Sequence, residues 1–168
     1  MNEKEKQELE EIFQTFKADP LILKMKEISM HRGSNCYVHS FTVAKIAVNR
    51  VKDDDDYNHH NILIGAILHD YYLYDWRVEK DKLKKHGSNH PLIAEENAKR
   101  DFHISPEVAE IIRCHMWPLT PKLFPKSKEA KLVNIVDDEV ATKEAFHSKK
   151  YKQNHQDKYY RFIEKLFD

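Results

Sequence analysis

Only three of the 168 residues are glycine, and that scarcity narrows the fold more than any other single feature. Tight hairpins take glycine where φ must be positive, and no Asn-Gly or Asp-Gly pair occurs anywhere in the chain. Gly-rich phosphate loops are missing as well, which removes the nucleotide folds built on them. The apolar residues instead recur at helical intervals, so the sequence predicts an all-α protein.

Leu9, Ile12, Phe13 and Phe16 predict an amphipathic helix over 3–17, ending near Asp19-Pro20. Leu21, Ile22, Met25 and Ile28 mark a second. Val38, Phe41, Ala44, Ala47, Val48 and Val51 give residues 36–51 a wide buried stripe, and Asp53 to Asp56 read as a solvated loop. Residues 59–70 are apolar on most sides, as a central helix is, and run straight into His69-Asp70. Pro91 and Pro106 suit first helical turns, with Asn89 or His90 and Ser105 as caps, predicting helices over 91–101 and 106–115. Ser127 caps the next helix, which carries Asp137 among Leu132, Val133, Ile135, Val136 and Val140. After a polar stretch at 145–153, Tyr159, Phe162, Ile163 and Leu166 predict a closing helix. No linker or repeat divides the chain, so one domain over 1–168 is expected.

Basic and acidic residues balance at 28 each, leaving no global electrostatic case for nucleic acid or a membrane surface. Two cysteines are too few for a disulfide framework, and the charged opening Met1-Asn-Glu-Lys-Glu-Lys is unlike a signal peptide. A cytoplasmic location is the expectation.

Five separated stretches offer metal-ligand residues in the order His39, His69-Asp70, His90, His115, Asp137. One histidine on an apolar helix is more often a hydrogen-bonded core residue than a ligand. Asp70 and Asp137 differ, because a carboxylate carried into an apolar core must meet a cation, donors or a metal. Four imidazoles with two carboxylates suit one or two divalent transition ions such as Zn, Fe, Mn, Co or Ni. His59, His60, His86, His103, His147 and His155 have polar neighbours and are expected at the surface.

The strings Tyr37-Val38-His39-Ser40, Ile67-Leu68-His69-Asp70, His90-Pro91 and Val136-Asp137 together form the order H…HD…H…H…D. Over about 31–141 this resembles the HD superfamily of metal-dependent phosphohydrolases. The string His115-Met116-Trp117-Pro118-Leu119-Thr120 is similar to one in a group of small bacterial HD proteins. The resemblance implies an HD-domain helical bundle with a central metal site. It implies hydrolysis of a phosphoester or phosphoanhydride in a nucleotide or small phosphorylated metabolite, with His69 and Asp70 as the catalytic dyad. By the same resemblance His39, His69, Asp70 and Asp137 hold one divalent ion, His90 and His115 a second, and Asp70 bridges them. Asp137 is preferred to its neighbour Asp138 because Val136 matches the small apolar residue before the family's aspartate. Two ions would generate the hydroxide nucleophile and clamp the phosphoryl group, so no serine or cysteine nucleophile is required.

Phosphate contacts are expected from His31, Arg32 and Ser34, just before the amino end of the His39 helix, and from Lys84 and Lys122. Tyr72, Trp76 and Trp117 flank ligand segments and could stack a base or simply pack. Two other functions share this ligand string: a di-iron oxygenase using dioxygen, and a degenerate module that binds a nucleotide without turnover. Structural zinc fits less well, since such sites lean on thiolates. A homodimer is left open.

Overall fold

The computed structural model describes residues 1–30, 34–75, 86–146, 158 and 160–167. Among these the chain is helical, with a single isolated bridge between Ser29 and Asn35 and no strand. The elements are α1 (Glu3–Ala18), α2 (Pro20–Leu23) leading into a 3-10 turn (Lys24–Glu27), α3 (Cys36–Val51), α4 (His59–Leu68), α5 (His86–Phe102), α6 (Pro106–Cys114) and α7 (Lys128–Phe146).

The starts of most helices are written in local chemistry. Asn2, Asp19, Asn35, Asn58, Ser105 and Ser127 each turn a side-chain oxygen onto an otherwise orphaned first-turn N–H. Pro20 and Pro106 follow their caps, where a missing N–H costs nothing. The helix expected over 21–28 is one α turn followed by a 3-10 turn. That tighter winding eclipses positions three apart, and it buries both Ile22 and Met25.

Two expectations fail here. Pro91 does not open its helix: α5 begins at His86, and the ring lies inside it. The forfeited bond would have gone to the carbonyl of Gly87 in the first turn, so the loss is local and the helix continues. His59 is not at the surface but 2% exposed. Its Nδ1 meets Glu5 at 2.9 Å and its Nε2 the Val51 carbonyl at 3.0 Å, joining α1 to the end of α3.

α4 lies at the centre, packed on α3, α6, α7, α1 and α5. Ile62, Leu63, Ala66 and Ile67 are fully buried there. Gly65 sets the approach of α6, since a Cβ at that position would lie 2.7 Å from Ile111 Cγ2. Phe41 and Phe13 meet edge to face at 5.1 Å between ring centroids, locking α3 onto α1. At the carboxyl end, where a closing helix is expected, residues 158 and 160–162 are helical and Tyr159 lies outside the described residues. Ile163 and Leu166 are buried, and Glu10 of α1 accepts from the Leu166 and Phe167 N–H groups at 2.9 and 3.2 Å. No described helix is long and apolar enough to cross a membrane.

Candidate metal centre

All six ligand candidates are buried, and their side chains meet at one place between α3, α4, α5, α6 and α7. His39 sits in the first turn of α3, whose start is held by Asn35 accepting from the Val38 N–H at 2.9 Å. His69 and Asp70 follow directly on the last residue of α4. Successive helical residues point about 100° apart, so the two converge only because the chain turns away there. His90 comes from the opening turns of α5 and His115 from the end of α6. Asn134 pins the turn after His115 by donating to the carbonyls of His115 and Trp117. Asp137 is the inward residue of its pair on α7, while Asp138 is exposed.

The imidazoles are oriented by their outer nitrogens. A carbonyl can only accept, so the 2.7 Å contact from His69 Nδ1 to the Ala66 carbonyl places the proton on Nδ1. The same holds for His115 Nδ1 and the Ile112 carbonyl, also at 2.7 Å. His39 Nδ1 faces Glu144 Oε2 at 3.1 Å. Each of the three therefore aims Nε2 inward. His69 Nε2 is buried with no hydrogen-bond partner among the described residues. His90 Nε2 and His115 Nε2 stand 2.9 Å apart, a separation at which two nitrogen lone pairs need a proton or cation between them.

The carboxylates close the arrangement. Asp70 Oδ2 lies 3.5 Å from His69 Nε2 and 3.9 Å from His39 Nε2, while Oδ1 lies 3.4 Å from His90 Nε2 and 3.6 Å from His115 Nε2. Asp137 Oδ1 is 2.8 Å from His39 Nε2 and 3.5 Å from His69 Nε2. Three overlapping groups have ligand atoms within 4.8 Å of one another: His39-His69-Asp70, His69-His115-Asp137 and Asp70-His90-His115. An orphaned lone pair, a paired set of inward nitrogens and two buried carboxylates fit divalent metal, and all donors are nitrogen or oxygen.

Charge follows from the same geometry. Burial by itself would raise Asp70, but the imidazoles of His69, His90 and His115 hold it well below the usual carboxylate range. Asp137 is depressed too, with burial outweighed by His69 and His39. Burial lowers His39, yet the carboxylates of Glu144 and Asp137 lift it well above an ordinary imidazole. His115 goes the other way, pushed down to about 3 by burial and by the neighbouring His69 and His90.

Of the expected phosphate contacts, His31, Arg32 and Lys84 lie outside the described residues, as does Trp76. Ser34 Oγ donates to Glu144 Oε1 at 3.1 Å. Lys122 is exposed and lines a groove with Glu107, Glu110 and Arg113 that includes none of the six ligand candidates. Tyr72 is buried against the His90 ring, with centroids 5.5 Å apart, and donates to Met30 Sδ. Trp117 packs edge to face on Phe124. Sequence reasoning missed Glu144, which is 4% exposed and touches a ligand candidate. The one available signal was its place two turns after Asp137 on the same face of α7.

The HD domain family model matches residues 36–142, a span containing every residue of the cluster. No curated protein and no solved structure matches the chain.

Proposed function

The chain belongs to the HD domain family, and from that membership together with its buried donor set we propose that it is a metal-dependent phosphohydrolase with a two-ion site. The observation that carries the reading is the division of Asp70: one oxygen faces His39 and His69, the other faces His90 and His115. A carboxylate split in this way is disposed to bridge two cations. His39, His69, Asp70 and Asp137 would hold one ion, and His90, His115 and Asp70 would hold the other. Divalent ions bound there supply Lewis-acid activation of water and neutralise charge on a phosphoryl group.

The protein's own contribution is orientation. Carbonyls of α4 and α6 keep two Nδ1 protons in place, so His69 and His115 present Nε2 without rearrangement on ion binding. Tyr72, its hydroxyl held between Cys36 and Met30, packs on the His90 ring and keeps bulk water off it. Neither cysteine is placed as a nucleophile, since Cys36 is buried on the Tyr72 hydroxyl and Cys114 is buried in α6. The substrate class is a nucleotide or small phosphorylated metabolite.

Elemental analysis of the purified protein, followed by a panel of phosphoesters and nucleotides with and without chelator, tests this. The expected result is two ions per chain and phosphate release that chelation abolishes. Oxygen consumption without phosphate release would instead assign the di-iron oxygenase alternative, and failure to take up any ion would remove both.

A further inference from the structure

We infer that Glu144 is a positioning residue for His39, and that Ser34 in turn orients Glu144; the inference rests on the metal-site reading above and adds a residue outside its ligand set. Three observations converge on it. Glu144 is a carboxylate only 4% exposed, with no lysine or arginine recorded against it among the described residues. A buried carboxylate needs donors, and among the described residues it has two. His39 Nδ1–H reaches Oε2 at 3.1 Å and Ser34 Oγ–H reaches Oε1 at 3.1 Å. The serine hydroxyl has a single proton, and its alternative acceptor, the Asn35 carbonyl, is farther at 3.5 Å.

The other two histidines with a resolved outer partner use a backbone carbonyl one turn earlier on their own helices. Ala66 and Ile112 lie in last helical turns, whose carbonyls lack an intrahelical partner, whereas His39 sits in the first turn of α3, where the carbonyl three residues earlier, that of Cys36, belongs to the helix ladder. Its orientation has to come from another element. α7 provides it from the face that carries Asp137, so one helix touches both nitrogens of the His39 ring: Asp137 at Nε2 and Glu144 at Nδ1. A carboxylate behind a ligating imidazole fixes the ring and makes its free nitrogen a stronger donor, and loss of such a partner costs about 10- to 100-fold in metal affinity. Ser34, expected from sequence as a phosphate contact, gives its hydroxyl proton to Glu144.

Two measurements on the full chain test the inference, using Glu144→Leu, Glu144→Gln and Ser34→Ala. In metal-free protein labelled with 15N at histidine, the His39 Nδ1 proton is expected to exchange slowly in the wild type, where a His39→Asn variant assigns it. It is expected to be lost in Glu144→Leu, kept in Glu144→Gln, whose amide oxygen still accepts, and to exchange faster in Ser34→Ala. Zn2+ titration against a competing chelator is expected to weaken about 10- to 100-fold in Glu144→Leu and less in Glu144→Gln. A slow His39 ring proton in folded Glu144→Leu, or a Zn2+ affinity within twofold of the wild type, overturns the inference. A purely structural glutamate would lower thermal stability in both variants and leave these readouts in place. Failure of the wild type to bind any ion sinks the proposed function, and the ring-proton measurement still decides the role of Glu144.

Discussion

Gly65→Ala probes the contact that spaces two of the ligand-bearing helices. Gly65 lies four residues before His69 on α4, and Ile111 four before His115 on α6, so their contact sits one helical turn below the two rings. Those rings have centroids 4.9 Å apart. An alanine methyl would stand 2.7 Å from Ile111 Cγ2, 2.9 Å from Cβ and 2.9 Å from Cδ1. Carbon atoms settle about 3.5–4.0 Å apart, so α4 and α6 must separate by about 0.8–1.3 Å. Contact with Cβ means that a rotamer change alone does not relieve the clash. Overpacking of this kind costs roughly 1–3 kcal/mol, against about 0.8–1.0 kcal/mol gained by alanine in a helix. The net expectation is a loss of about 1 kcal/mol, read by urea unfolding of the metal-free protein. Metal affinity should fall as well, because His69 and Asp70 move away from His115. In an Ile111→Ala background the Cγ2 and Cδ1 clashes vanish and only the 2.9 Å contact with Cβ remains, so the same substitution should cost less than in the wild type. A single variant about 1 kcal/mol more stable than the wild type, with unchanged metal binding, would refute the reasoning.

Asp70→Ala should abolish retention of both ions, and full occupancy by elemental analysis in that variant would contradict a bridging role. His115→Ala should keep the fold by circular dichroism and lose about half of the bound metal; unchanged stoichiometry reduces the site to one ion. Metal affinity should rise with pH across neutrality. His39, lifted above the ordinary imidazole range by Glu144 and Asp137, must give up its Nε2 proton to bind an ion, a loss of up to about tenfold per pH unit below its pKa for that proton. His115, held at about 3, stays unprotonated and adds no such dependence. Calorimetric titration at several pH values checks this, with a flat profile as the contrary result. Phe41→Ala should cost about 3–5 kcal/mol, since a fully buried ring between α3 and α1 leaves a cavity. A loss below about 1 kcal/mol would mean the two helices repack.

The local signals carried unequal weight. The caps at Asp19, Asn35, Ser105 and Ser127 act within three residues of themselves, and helices begin where they stand. Pro91 is such a signal misread, because a proline tolerated at a helix start is also tolerated one turn further in when a single bond is lost. His59 looked solvated because its sequence neighbours are polar. Its acceptors, Glu5 and Val51, come from elsewhere in the chain. Glu144 was passed over for the same reason: an isolated glutamate near a helix end is ordinarily a surface charge, and only the approach of α3 to α7 encloses it.

Periodicity, capping oxygens and the burden of carrying Asp70 and Asp137 through apolar helices were enough to make the chain helical and to single out six ligand candidates. These are properties of near neighbours along the chain, or of a residue type in its immediate setting. Which oxygen of Asp70 faces which histidine, which ring nitrogen points inward, and what stands behind His39 were decided by tertiary packing. Those facts depend on distances between helices, and such distances follow from close contacts like that of Gly65 with Ile111, which no single stretch of sequence contains.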